Sequence, residues 1–62
     1  NYSTQVAEEI LNMLDSRQYR SIREMATDYG KSRHLVFVYL EALTSIGMVG
    51  INESGYKVLT RE

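Results

Sequence analysis

Five basic residues fall between Arg17 and Arg33: Arg17, Arg20, Arg23, Lys31 and Arg33. Only two acids, Glu24 and Asp28, share that stretch. It therefore carries +3 while the remainder carries −4, which recovers the net charge of −1. A local excess of guanidinium groups suits the binding of anions, phosphates above all, because Arg offers a rigid fork of donors. Ser21 stands between Arg20 and Arg23 and opens a helical pattern. A capped helix start with free N–H groups is itself an anion site, and two flanking Arg strengthen it. The plainer reading is a solvated helix start with Arg23 paired locally.

Other chemistries lack their residues. The chain has no cysteine, so it has neither a disulfide nor a cysteine-based zinc site. His34 is the single histidine, which leaves a metal site to carboxylates with no ligand spacing to suggest one. No nucleophile–base pair, carboxylate dyad or phosphate-cradling glycine loop is present, and 62 residues leave little room for a pocket. The expectation is a non-enzyme without cofactor or small-molecule substrate. A chain of this length is one small domain that buries only about 60% of its unfolded surface. Its core must come from the 44% of apolar residues, helped by a partner chain. Freedom from cysteine suits a reducing compartment. The longest apolar run, Leu35–Leu40, is far short of a membrane span, and no signal-peptide pattern opens the chain. The first residue is Asn rather than Met, so the expectation is a fragment or a processed chain.

Four glycines punctuate the sequence: Gly30, Gly47, Gly50 and Gly55. The first predicted helix runs from Ser3 or Thr4 to about Asp15, with Val6, Ala7, Ile10, Leu11 and Leu14 on one apolar stripe. The second runs from Ser21 to Tyr29. Ser21-Ile22-Arg23-Glu24 reads as a capping box, with Ser21 capping the start and Glu24 reaching back to it. Gly30 stops that helix. Ser32 caps the third, which runs to about Ile46 with Val36, Tyr39, Leu40, Leu43 and Ile46 as its main stripe. Its Val, Phe and Tyr favour a strand on propensity, but about four turns of unbroken periodicity decide for a helix. A hairpin follows: Met48–Ile51, a turn over Asn52-Glu53-Ser54-Gly55, and Tyr56–Leu59. A lone hairpin is marginal, so it must pack on the helices.

The turn between the second and third helices carries the most information. Ala26-x-x-x-Gly30-x-Ser32-x-x-x-Val36 resembles the helix-turn-helix signature. A small residue at Ala26 permits a close helix crossing, Gly30 supplies the turn angle, Ser32 caps the next helix and Val36 fills the crossing. The larger pattern, with Tyr39-Leu40-Glu41-Ala42-Leu43, Gly47-Met48-Val49 and Gly55-Tyr56-Lys57-Val58-Leu59-Thr60, is similar to the small winged helices of archaeal, bacterial and viral regulators. The resemblance covers nearly the whole chain. It implies a mainly α fold of three helices with a two- to three-stranded wing, the third strand being a short one near Tyr19-Arg20 between the first two helices.

The resemblance also implies a partner, double-stranded DNA, in transcription regulation or in plasmid or viral replication or partition. The third helix would enter the major groove. Its exposed positions would be Ser32, Arg33, His34, Phe37, Val38 and Glu41. Arg33 and His34, in the first turn, are the base-edge candidates, Phe37 would pack on a thymine methyl, and Ser32 lies beside them. Phosphates would fall to Arg17, Arg20, Ser21, Arg23 and Lys31. Wing contacts would fall to Asn52, Ser54 and Lys57. A homodimer or a larger parent protein is expected, because one such module has a small footprint. The expected location is cytoplasmic with the nucleoid, or nuclear in a eukaryote, with no membrane contact.

Two sets of residues carry an alternative. Leu35, Phe37 and Val38, or the hairpin edge, would bind a peptide or a second copy of the domain, and Glu41 disfavours close phosphates. Phe37 could instead fold onto the hairpin and widen the core. Among the tyrosines, Tyr29, Tyr39 and Tyr56 lie on buried stripes, and Tyr19 in the basic loop either packs or donates to a phosphate. Met13, Met25 and Met48 read as core filler.

Overall fold

The computed structural model describes residues 2–61. Three helices are followed by an antiparallel hairpin: α1 (Thr4–Ser16), α2 (Ile22–Tyr29), α3 (Arg33–Ser45), β1 (Val49–Asn52) and β2 (Gly55–Val58). Each helix begins at a serine. The hydroxyls of Ser3, Ser21 and Ser32 accept from the amides of Val6, Glu24 and Leu35, so each helix start has one of its orphan donors satisfied. Two helices end at glycines. At Gly30 (φ 77°), the amides of Gly30 and Lys31 both donate to the Ala26 carbonyl. At Gly47 (φ 84°), Met48 N–H reaches the Leu43 carbonyl and Gly47 N–H reaches Thr44, the crossed pair of a Schellman motif.

The core lies where the three helical stripes meet the base of the hairpin. Ala7, Ile10, Leu11 and Leu14 of α1, Met25 and Ala26 of α2, and Val36, Tyr39, Leu40 and Leu43 of α3 form one buried cluster with Tyr19 and Val49. Each large apolar side chain buried there contributes about 1.5–3 kcal/mol relative to exposure. Met13 and Met48 pack on its margin. Tyr39 adds a polar tie, its hydroxyl accepting from Ser3 N–H at 2.7 Å.

The structure corrects three sequence expectations and decides one alternative. First, no third strand forms near Tyr19-Arg20. A single antiparallel bridge joins Tyr19 to Tyr56, and Tyr56 N–H donates to the Tyr19 carbonyl. Second, of the two readings open for Tyr19 the packing one holds: its ring lies in the core at 1% exposure and its hydroxyl donates to Asp28. Third, Ile46 is 64% exposed, because α3 stops at Ser45 and the chain turns away at Gly47. Fourth, the hairpin is tighter than expected. Asn52 pairs with Gly55, which leaves only Glu53-Ser54 as the turn, and the Asn52 side chain accepts from Ser54 N–H at 2.8 Å. Gly55 is required there: its φ is +121°, and a Cβ would meet the Tyr19 carbonyl oxygen at 2.0 Å.

Candidate functional site

The start of α2 is built on a network of ionic contacts. Glu24 does reach back, but one residue further than a capping box requires. Its carboxylate accepts from Arg20 N–H at 3.0 Å rather than from the cap residue. Its other oxygen takes the Arg17 guanidinium at 2.5 Å. The hydrogen bond from the Arg20 amide, followed by Arg17, holds the Glu24 carboxyl below its usual range. Arg17 also lies 4.0 Å from Asp28 and 4.3 Å from the centroid of the Tyr19 ring. Tyr19 in turn donates its hydroxyl to Asp28. That bond, with burial, raises the tyrosine's pKa above its usual value.

Arg17 was read from the sequence as a phosphate ligand. In the structure its charge is already drawn onto two carboxylates and an aromatic face. Arg61 is similarly engaged, donating to Asp15 at 2.7 Å and to Asn12 at 2.6 Å. Among the described residues, no carboxylate comes within ion-pair distance of Arg20, Arg23, Lys31, Arg33 or Lys57. All five are exposed. Lys31 leans over the Tyr29 ring at 5.9 Å. The local pairing expected of Arg23 in its plainer reading is not made. Four of these five cations flank the starts of α2 and α3.

The two helix starts differ in what they present. At α2, Ser21 Oγ is occupied with Glu24 N–H, while Ile22 and Arg23 are first-turn amides without an intrahelical acceptor. At α3, Ser32 Oγ accepts from Leu35 N–H at 3.1 Å, and Arg33 and His34 project from the first turn. The hairpin contributes exposed Asn52, Ser54 and Lys57. Its second strand begins against the Tyr19-Arg20 backbone, and Gln18 Nε2 donates to the Tyr56 carbonyl at 3.1 Å. The loop before α2 and the hairpin are thus fixed to each other.

Leu35, Phe37 and Val38 of α3 do not all lie on one flank of the helix. Leu35 is half-buried against the core, while Phe37 is 46% and Val38 44% exposed. Successive helix residues turn by about 100°, so Leu35 and Phe37 point to opposite flanks. Phe37 instead lines a groove of about 380 Å³ with Ile22, Leu40, Glu41, Ile51 and Tyr56. The Arg17 network escaped the sequence reading because Arg17 and Glu24 are seven residues apart, across a loop, where no helical spacing rule applies. The capping-box pattern was its only trace.

Among the described residues, no group of three His, Cys, Asp or Glu side chains lies close enough to hold a metal ion. No helix among them is long and apolar enough to cross a membrane. The chain matches no family model, no curated protein and no solved structure.

Proposed function

We propose that this chain is a winged helix-turn-helix domain that binds double-stranded DNA, with α3 as its reading helix and the hairpin as its wing. One observation carries the reading. Asp15 is paired with Arg61, and Glu24 and Asp28 share Arg17, while among the described residues no carboxylate lies within ion-pair distance of Arg20, Arg23, Lys31 or Arg33 around the two helix starts. Net charge near zero therefore coexists with a cationic face.

In this mechanism Arg20, Arg23 and the first-turn amides of α2 hold phosphate oxygens and set the register. Lys31 adds a backbone contact. Arg33 and His34 enter the major groove from the first turn of α3, where Arg pairs with guanine acceptors. Ser54, Lys57 and the amide of Asn52 follow the backbone from the hairpin. The DNA would be cytoplasmic, or nuclear in a eukaryote. Arg17 acts indirectly, by fixing Glu24 and through it the Arg20 amide.

The test is a duplex-binding titration at low salt with the double variant Arg20→Ala, Arg23→Ala. The reading expects a loss of about tenfold or more and a shallower salt slope. Unaltered affinity would refute the phosphate assignment. A second reading, docking of a protein partner, is favoured by the apolar groove that Phe37 and Ile51 share. Phe37→Ala with retained DNA binding and a lost protein complex would select it.

A further inference from the structure

Phe37 of α3 and Ile51 of the hairpin, 46% and 66% exposed, open onto the same groove. Ile51 and Tyr56 stand opposite each other in register, so their side chains leave the hairpin on one face. Phe37 and Glu41, four residues apart, are neighbours on α3. With Ile22 of α2 and the buried Leu40 they line about 380 Å³. That volume lies within the range of concave binding sites, about 300–1,000 Å³.

Glu41 is the only charged residue that lines this groove. Among the described residues, no Lys, Arg or His comes within ion-pair distance of its carboxylate. Two aromatic residues, Phe37 and Tyr56, line the same space. A carboxylate and the face of an aromatic ring both attract a cation. A neutral apolar occupant would strip water from Glu41 and give it no partner. An acidic occupant would set like charges together. A cation on an apolar stem suits both halves of the groove: the stem covers Ile22, Leu40 and Ile51 while the head meets Glu41. Of the two side chains built this way, arginine fits better than lysine. Its planar fork matches a carboxylate and stacks on aromatic rings.

We infer that this groove docks an arginine of a partner protein, on a segment whose residues beside the arginine are apolar. The guanidinium pairs with Glu41 and lies against the aromatic residues Phe37 and Tyr56. The apolar neighbours of the arginine cover what Phe37 and Ile51 leave exposed. Charge supplies the selectivity and apolar burial supplies the adhesion, so a segment with only one of the two binds weakly. The inference rests on the protein-docking reading and gives that partner its chemistry. It uses none of the cations assigned to DNA.

The experiment titrates the 62-residue chain with the peptide acetyl-Leu-Arg-Leu-amide, following amide chemical shifts up to about 10 mM peptide. Two further peptides carry citrulline or glutamate in place of the arginine. Citrulline keeps the shape of arginine and lacks its charge. The expected result is saturable shifts at Phe37, Glu41 and Ile51 with the arginine peptide, and binding about tenfold or more weaker with the other two. Glu41→Gln should bring the arginine and citrulline peptides to equal affinity, with helical circular dichroism unchanged because the side chain is exposed. Equal binding of those two peptides to the wild-type groove would overturn the inference and leave the docking reading standing. Phe37 and Ile51 amides that stay unmoved with all three peptides would overturn the inference and the docking reading with it. The wild-type comparison decides the matter even where the Gln variant fails to fold.

Discussion

Two regions of this small domain use the same residue types to opposite ends. Beneath α2, Arg17 is surrounded by Glu24, Asp28 and the Tyr19 ring, and across the molecule Arg61 is held by Asp15 and Asn12. Around the starts of α2 and α3, Arg20, Arg23, Lys31 and Arg33 have no carboxylate partner among the described residues. Counting charges along the chain treats Arg17 and Arg23 alike. The fold separates them into a cation paired with carboxylates and a cation with no carboxylate partner among the described residues.

The comparison can be broken hardest at Tyr19. Tyr19→Ala empties the largest of the fully buried side-chain sites and should cost about 3–5 kcal/mol by thermal or urea unfolding. Tyr19→Phe keeps the packing and removes only the bond to Asp28, so it should cost about 1–2 kcal/mol. Equal losses for the two variants would mean that the hydroxyl, not the ring, holds this region.

The next effect belongs to the cationic face. The double Arg20→Ala, Arg23→Ala variant should lose about tenfold or more in duplex affinity at low salt, with stability changed by no more than about 0.5 kcal/mol. Arg17→Ala should do the reverse. It should lower stability by up to about 1 kcal/mol, the usual scale of exposed ion pairs, and leave the salt slope of binding unchanged. A slope reduced by Arg17→Ala as much as by Arg23→Ala would erase the distinction between the regions.

The smallest effects are in pH. Glu24 and Glu9 are both held below the ordinary carboxyl value of 4.5, Glu24 mainly by the Arg20 amide and Glu9 mainly by the Tyr29 hydroxyl. Each therefore adds stability above about pH 4.5, lost as pH falls through its lower folded value. Tyr29 is pushed from 10.0 up to about 12 by burial and by its bond to Glu9. Its contribution is complete below pH 10 and is lost as pH rises towards about 12. Melting temperatures across both ranges check this, and Tyr29→Phe should flatten the alkaline limb.

Much of the fold was legible in local signals. Ser3, Ser21 and Ser32 marked the three helix starts, and Gly30 and Gly47 marked two ends, because caps and left-handed turns depend on one or two neighbouring residues. Non-local contacts were not legible. Tyr19 looked like a loop residue until Tyr56 bridged to it across the fold. Ile46 satisfied the helical period yet lay past the last turn, where the period no longer predicts a face. Of the candidate site, the basic cluster and its two helix starts could be read directly. The pairing of Arg17 could not, since that needed the positions of Glu24, Asp28 and Tyr19 together. Of Leu35, Phe37 and Val38, the first and last are one helical turn apart while Phe37 lies on the opposite flank from Leu35, a division that adjacency in the sequence does not reveal.

The most direct test of the DNA-binding account is the salt dependence of duplex binding by the intact chain. Arg20, Arg23, Lys31 and Lys57, the four cations assigned to the DNA backbone, each neutralise one phosphate and so predict a slope of about −3 to −4 for log K against log salt, per bound chain. Absence of binding at about 50 mM salt, or a slope shallower than about −1, would contradict the claim that these four cations form a DNA-binding face.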